Sequence, residues 1–368
     1  MASTLDNKAR FDRIVARLPV QNLSNTDAIE ASLAKTDKTP ICLWVTSPTG
    51  KPHLGYFVPL LKLADFLEAG VEVRIILLDT YSFLDNVDYP MDQVAHRAKF
   101  YQCGMTAALQ CLGIDSTGVK FVLESSYQTP EFTKDLWRLC TKVQAQTIRD
   151  SWDRAVHPEM VSPLMCPLLQ LLSEEYNDAD FQFGGEDQAS IFALIEKFGP
   201  ELGHRPRGHL MNPMLPNLTG KKMSATHADK TKIMLLETPE NIIAKMEGAA
   251  WQTESSKNAF LMTLRDVLIP LSELHARPTA KVLPDWVNPS VDASAPAGTV
   301  FTATTDDGLL HFSDFADIGR ALSDGRIEPD MLKKSVASAV AKLFTPMQGL
   351  FDANPEWQAA SAGGYPTV

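Results

Sequence analysis

Long apolar runs are missing from this sequence. No stretch approaches the roughly 18 consecutive apolar residues that a bilayer-crossing helix needs, so no membrane span is expected. Cysteine is scarce: Cys42, Cys103, Cys111, Cys140 and Cys166 form an odd set with no CxxC pair. That argues against a zinc ribbon or a disulfide framework and for reduced thiols in an intracellular, cytoplasmic setting. The opening residues, MASTLDNKARFDRIV, are polar and amphipathic, unlike a secretory leader. Internal repeats and low-complexity tracts are also lacking. Positive charge is in deficit, with 34 Lys and Arg against 45 Asp and Glu, a net charge of −11. A basic-coated surface is excluded, and any RNA contact should be confined to a local patch and be salt-sensitive.

What is present suits a globular chain. The 368 residues are 45% hydrophobic and 21% charged, enough for one large domain and a smaller one. Residues 5–37 read as helical. The apolar run ICLWV (41–45) reads as a strand, Gly55 to Leu67 as a buried helix stopped by Gly70, and VEVRIILLD (71–79) as the next strand. This β-α-β unit predicts a parallel sheet. A mostly helical stretch, about 91–175, is interrupted by the strand-like VKFVLE (119–124). ADFQFGGEDQ (179–188) reads as strand and glycine turn, followed by the helix ASIFALIEKFG. HLMNPMLPNLTGKKMSAT (209–226) reads as strand and loop. Beyond about 236 the pattern turns helical, interrupted by a polar segment over 276–308 with no clear period.

Three loops leave strands at the carboxyl end, where parallel α/β sheets bind ligands. They are TGKPHLG (49–55), FGGEDQ (183–188) and LTGKKMSAT (218–226). Gly50 and Gly55 permit close backbone approach, and a helix starting near His53 presents N–H groups with partial positive charge. Gly184 and Gly185 let a flat group lie against backbone. Lys221 and Lys222, beside Ser224, can neutralise phosphate.

PHLGY resembles the HIGH motif of class I aminoacyl-tRNA synthetases. KMSAT resembles their KMSKS motif, with Lys222, Met223 and Ser224 matching and Ala225 and Thr226 departing. TGKPHLGYFVPLLKLADFLEAG, DFQFGGEDQASIF and HLMNPMLPNLTGKKMS are similar to tyrosyl-tRNA synthetases of eukaryotic and archaeal type, and the likeness covers about 30–355. The resemblance implies a Rossmann-type, doubly wound α/β domain over 1–235 with a helical insertion, about 91–175. An all-α, anticodon-binding-like domain over 236–355 and a loose tail over 356–368 would follow. It implies attack of an amino-acid carboxylate on the α-phosphate of ATP, accompanied by Mg2+, then transfer to a tRNA, by a homodimer with no organic cofactor and no zinc. His53, Lys222 and Ser224 would be catalytic. Gly50, Pro52, Gly55, Gly184, Gly185, Asp187, Leu210 and Met211 would hold ATP, with Gly55 making room for adenine, Asp187 on the ribose, and the Leu210 and Met211 backbone on the adenine edge.

The same likeness marks departures in the side-chain pocket. Leu43 stands where the family has a tyrosine that touches the substrate hydroxyl, and Val45 where it has glycine. Cys166 replaces a tyrosine, Ser173 replaces the aspartate that accepts the phenol hydrogen bond, and Tyr81 replaces a histidine. Gln170 and Gln188 are retained, and Leu78 is expected to face inward. Cys166, Gln170 and Ser173 lie at i, i+4 and i+7, one face of a helix. A site built to bond a hydroxyl can reject the analogue lacking it by about 10⁴–10⁵-fold, a magnitude that comes from a tyrosyl-tRNA synthetase and is not worked out from this sequence. Weak selectivity for tyrosine is therefore expected. Extra volume at the far end would favour an apolar or longer aromatic side chain.

The tRNA side departs too. Where the family commonly shows HPGDLK this chain has EPDMLK, placing Glu328 and Met331 at the anticodon-contacting positions, with Asp330 one place earlier. Recognition of tRNA-Tyr is expected to be impaired. Three alternatives stand beside a diverged ligase: an ordinary tyrosine–tRNA ligase, a non-catalytic binding protein, and a tRNA-dependent acyl-transferase using Ser47 as nucleophile.

Overall fold

The structure, a computed structural model, describes residues 3–85, 88–151, 159–224, 228–283 and 285–366. Six strands form the main sheet: β1 (Leu23–Ser24), β2 (Ile41–Thr46), β3 (Glu72–Leu77), β4 (Val119–Leu123), β5 (Phe181–Gly185) and β6 (Gly208–Asn212). Their order is β1-β6-β5-β2-β3-β4, with every pair parallel except the edge pair β1–β6. The chain winds outward from β2 through β3 to β4, then crosses back to β5 and β6. The topological switch therefore lies between β2 and β5, and the crevice at their carboxyl ends is where such sheets hold ligands.

Strand alternation divides two cores. Cys42 and Trp44 of β2, Val73 and Ile75 of β3, and Phe181 and Phe183 of β5 pack with the helix Phe57–Glu68 and the C-terminal helices. Ile41 and Leu43 of β2 and Ile76 of β3 face the other way, against the helices Cys166–Tyr176 and Ala189–Phe198. Period-two alternation in strands covered on both sides produces this split. The helix after β2 ends as expected, with Gly70 at φ +72°.

Several expectations need correction. Residues 5–37 are two short helices, Asn7–Val15 and Thr26–Leu33, separated by β1. Arg17 and Asn25, at φ 63° and 48°, break the helical path. The helix Met91–Cys111 is the crossover between β3 and β4, so the sheet claims the start of the segment expected as an insertion. The polar stretch 276–308 contains a strand, β7 (Phe301–Thr305), paired with β8 (Gly308–Phe312) in an antiparallel hairpin. Buried Phe301 and Phe312 stack across it, centroids 6.4 Å apart. The tail expected to be loose is a helix, Pro355–Gly364, packed on Met91–Cys111. Trp357 is buried there between Phe100 and Phe351, with ring centroids 5.8 and 5.2 Å away.

Candidate active site

The first loop leaves β2 and turns into a helix through His53. The His53 side chain caps that turn, its Nδ1 accepting from the Gly55 N–H at 3.2 Å. A Cβ on Gly55 would sit 2.9 Å from the His53 ring and 3.5 Å from the Met223 sulfur, so glycine is what lets these groups meet. Two backbone bonds tie this turn to the segment after the third loop: Leu54 N–H to Ile233 O at 2.9 Å and Leu235 N–H to Pro52 O at 3.0 Å.

The second loop ends β5. A Cβ on Gly185 would collide with the Met214 sulfur and the Asp187 carboxylate, and one on Gly184 would lie 3.0 Å from Gln188. The third loop is shaped by Asn217, whose side-chain oxygen accepts from the Thr219 and Lys221 N–H groups at 2.9 and 3.1 Å. Lys222 then reaches the second loop, its Nζ 2.5 Å from Asp187 Oδ2. The Ser224 carbonyl accepts from the buried Lys232 ammonium at 2.9 Å. Ala225 and Thr226 lie outside the described residues.

All three loops thus converge at the β2–β5 switch. Of the nucleotide-site expectations, His53, Gly55, Lys222, Gly184, Gly185 and Asp187 come together, with Pro52 buried beneath the turn. Gly50 starts the same loop, its carbonyl accepting from the Tyr101 hydroxyl at 2.6 Å. Leu210 pairs with Phe183 of β5 and Leu23 of β1, while Met211 lies beside Gly184 and its carbonyl accepts from Asn22 at 3.3 Å. Leu210 is buried in the sheet and Met211 is partly exposed.

The pocket residues also gather. Leu43, Leu78, Tyr81 and Cys166 share one apolar cluster, with Val45 against it, and the Cys166 thiol points at the Tyr81 carbonyl at 3.7 Å. The expected extra volume is not there. Leu43, Cys166 and Ser173 each have 0% exposure, so no space large enough for a water abuts them and neighbouring side chains fill the far end. The Ser173 hydroxyl donates to the Gln170 carbonyl of its own helix at 2.6 Å.

Gln170 and Gln188 belong to a longer polar relay. Gln170 Nε2 donates to Gln182 Oε1 at 2.9 Å and to Gln188 Oε1 at 3.0 Å. Gln182 Nε2 donates to Glu174 Oε1 at 3.0 Å. His209 sits between two carboxylates, with Nε2 2.9 Å from Glu174 Oε1 and Nδ1 2.7 Å from Glu196 Oε1. Burial alone would lower the imidazole pKa, but the two carboxylates, Glu174 foremost, raise it to about 9, so the ring is a cation donating from both nitrogens. Sequence reasoning passed over Gln182, Glu174, His209 and Glu196. One signal was available: Gln182 alternates with Phe181 and Phe183 and so must face the helix that carries Gln170.

A buried acid was also missed. Glu124, fully buried, accepts from the Tyr81 N–H through Oε2 at 2.7 Å, and its Oε1 has no hydrogen-bond partner among the described residues. Burial, helped by the Asp79 charge and partly opposed by the Tyr81 N–H, raises its pKa to about 8. Ser47, the alternative nucleophile, pairs with the Ser82 hydroxyl at 2.6 Å; that partner is not a base. Of the residues expected to meet a tRNA, Glu328 caps the helix Pro329–Asp352 by position only, Asp330 pairs with Lys333 at 3.2 Å, and Met331 packs against the core.

A sequence profile described as tRNA synthetases class I (W and Y) matches residues 35–345. The cytoplasmic tyrosine–tRNA ligase of Saccharomyces cerevisiae is 36% identical over 374 residues, covering all of this chain and 90% of that protein. That of Danio rerio is 36% identical over 88% of this chain but only 57% of its own length. Among solved structures, the tyrosyl-tRNA synthetase of Archaeoglobus fulgidus complexed with L-tyrosine superposes with a TM-score of 0.77 at 23% identity, covering 94% of this chain and 99% of that one. The Pyrococcus horikoshii enzyme superposes at 0.80 and 18% identity, covering 97% of this chain and 99% of that one, and both likenesses speak to the fold. With the loops, the sheet order and the profile in agreement, the chain belongs to the class I tRNA synthetase family, on its tyrosyl-tRNA synthetase branch, and is an enzyme of aminoacyl-tRNA ligase type.

Proposed function

We propose that this enzyme joins an amino-acid carboxylate to the α-phosphate of ATP, releases pyrophosphate, and passes the aminoacyl group to the terminal ribose of a tRNA, using a side-chain pocket that does not depend on a phenol. Positioning and charge stabilisation supply most of the rate in such chemistry. His53 and Lys222, with Ser224 beside them, would meet the charge developing on the phosphates. Asp187 would exchange Lys222 for the ribose when ATP enters, Gly55 would make room for adenine, and Met211 and Leu210 would border it. Gly50, Pro52, Gly184 and Gly185 would let backbone approach the nucleotide. Mg2+ would arrive on the phosphates, and no protein residue is assigned to it.

One observation carries the specificity reading. The two groups expected to grip a phenol are a buried leucine, Leu43, and a serine, Ser173, whose hydroxyl donates to its own helix. The filled far end supports a compact apolar side chain, aromatic or aliphatic. Amino-acid-dependent ATP–pyrophosphate exchange over tyrosine, phenylalanine, para-substituted phenylalanines, leucine and methionine tests it. Strong activation of tyrosine with rejection of phenylalanine would refute it and favour the ordinary tyrosine–tRNA ligase. The names of the relatives support that second reading, with Glu124 as the buried group able to anchor a phenol.

For the acceptor, Met331, a half-buried thioether packed against the core, is a poor partner for a base, and the Glu328 and Asp330 carboxylates repel phosphate. Weak charging of a tRNA-Tyr transcript is the expected result, and efficient charging would count against it. Exposed Trp137, Met160 and Val161 in the inserted region support a homodimer interface there. Sedimentation as a monomer would refute that. A cytoplasmic location is supported by the relatives' names, and no helix among the described residues is long and apolar enough to cross a membrane. Fractionation with membranes or organelles would count against it.

A further inference from the structure

The Gly50 carbonyl, at the start of the first loop, accepts from two phenols: Tyr101 Oη at 2.6 Å and Tyr365 Oη at 3.0 Å. A carbonyl oxygen has two lone pairs, so both are engaged. Tyr101 in turn accepts from the Tyr56 hydroxyl at 3.3 Å, and Tyr56 lies 3.5 Å from Thr46 Oγ1 at the end of β2. The Tyr56 ring also meets the His53 ring edge-on, centroids 5.1 Å apart. These hydroxyls bracket the TGKPH loop at both ends. Three members of the bracket come from the sheet domain, and the fourth arrives 315 residues after Gly50.

Tyr365 is itself held firmly. Asn354 caps the preceding helix, accepting from the Trp357 N–H at 3.0 Å, and Pro355 starts it. Arg97 and Gln93 donate to the Gly364 carbonyl at 2.8 and 3.2 Å. The Arg97 guanidinium lies between the Tyr89 and Tyr365 rings, 3.7 and 5.0 Å from their centroids. A Cβ on Gly364 would sit 3.0 Å from the Arg97 backbone nitrogen, so the glycine is what permits this contact. Lys51 of the loop lies over the Tyr365 ring, 5.4 Å from its centroid.

We propose that the C-terminal segment 355–365 is a positioning element of the nucleotide site, and that the Tyr365 hydroxyl holds the Gly50 carbonyl so that His53 stands where the phosphates arrive. Tyr365 touches no substrate and acts through the loop. Misplacement of a catalytic group by about 1 Å can cost 10²-fold in rate, so a single anchoring bond at the loop's origin has leverage. The proposal rests on reading residues 49–55 as the nucleotide loop.

The test compares Tyr365→Phe, which removes only the hydroxyl, with Tyr365→Ala, which also removes the ring. Glu247→Gln, exposed on the separate helix Pro239–Gly248, is the control. ATP–pyrophosphate exchange is measured with the best amino acid found for the wild type, alongside ATP affinity by calorimetry and the melting temperature. Tyr365→Phe should raise the KM for ATP or lower kcat about three- to tenfold, the scale of one hydrogen bond. The amino-acid KM and the melting temperature should stay near wild type. Tyr365→Ala should lose more activity, and Glu247→Gln none. Unchanged ATP kinetics in Tyr365→Phe would overturn the proposal, as would a fall in melting temperature with unaltered kinetics in both variants. A wild type that binds ATP but activates no amino acid defeats the reading of the reaction instead. Calorimetric affinity for ATP, weakened in Tyr365→Phe, still decides the tail's role.

Discussion

His209→Gln removes a cation held between Glu174 and Glu196, and its consequence can be worked out from the site. The imidazole rises from an ordinary 6.5 to about 9. Each pKa unit corresponds to 1.36 kcal/mol, so the difference of about 2.5 units is worth about 3 kcal/mol. That agrees with the roughly 3–5 kcal/mol lost when one partner is stripped from a buried ion pair. Because the folded pKa lies above the unfolded one, the stabilisation is complete below about pH 6.5 and fades as pH rises through 9. Urea denaturation of wild type and variant should therefore differ by about 3 kcal/mol at pH 7. At pH 10 they should differ only by the residue of lost packing against the Phe192 ring, centroids now 4.6 Å apart. Glu174 also orients Gln182, which faces Gln170 and through it Gln188, so the amino-acid KM should rise while the ATP KM holds. An equal difference at pH 7 and pH 10, or none at pH 7, would refute the reasoning.

Glu124 provides a second titration. Its folded pKa of about 8 exceeds the ordinary 4.5, so the folded state binds the extra proton and wild-type stability falls as pH rises from about 4.5 through 8. Glu124→Gln should lessen the fall between pH 5 and pH 8.5 by on the order of a few kcal/mol in denaturation curves, leaving the share that His209 contributes. Restoring both phenol partners, Leu43→Tyr with Ser173→Asp, should shift kcat/KM toward tyrosine over phenylalanine by about 10–100-fold, since a charged hydrogen bond is worth about 1.5–3 kcal/mol. An unchanged ratio in pyrophosphate exchange would mean that the phenol is not read there. Lys222→Met should cut exchange by about 10²–10³-fold. It should leave the melting temperature nearly unmoved, because a partly exposed ion pair contributes about 0–1 kcal/mol.

How much of the site was legible follows from how local each feature is. The turn at Gly50–Gly55, the Gly184–Gly185 approach and the Lys222 loop depend on backbone geometry that neighbouring residues dictate, and they could be recognised in one dimension. Alternation in β2 and β5 likewise separates Leu43 from Trp44 and Gln182 from Phe183. The relay from Gln188 to Glu196 was not legible, because its members come from two helices and two strands that meet only when β5 pairs with β6. Nor could Ser173 be read. Its residue type permits a bond to substrate, and only the structure shows that its proton goes to the helix carbonyl 2.6 Å away. Gly363 and Gly364 show the same ambiguity. Paired glycines in a polar tail look loose, yet here their missing side chains let the tail lie against His96 and Arg97.

Sequence alone thus determined the α/β class, the strand-to-loop order and which loop residues would come together at the β2–β5 switch, because each is set within one β-α unit by periodicity and turn chemistry. Tertiary structure alone decided that the far end of the pocket is filled, that a buried imidazolium sustains its polar wall, and that the last helix reaches the first loop. Those outcomes depend on side chains from different strands and helices meeting in one low-dielectric interior, which no local pattern encodes.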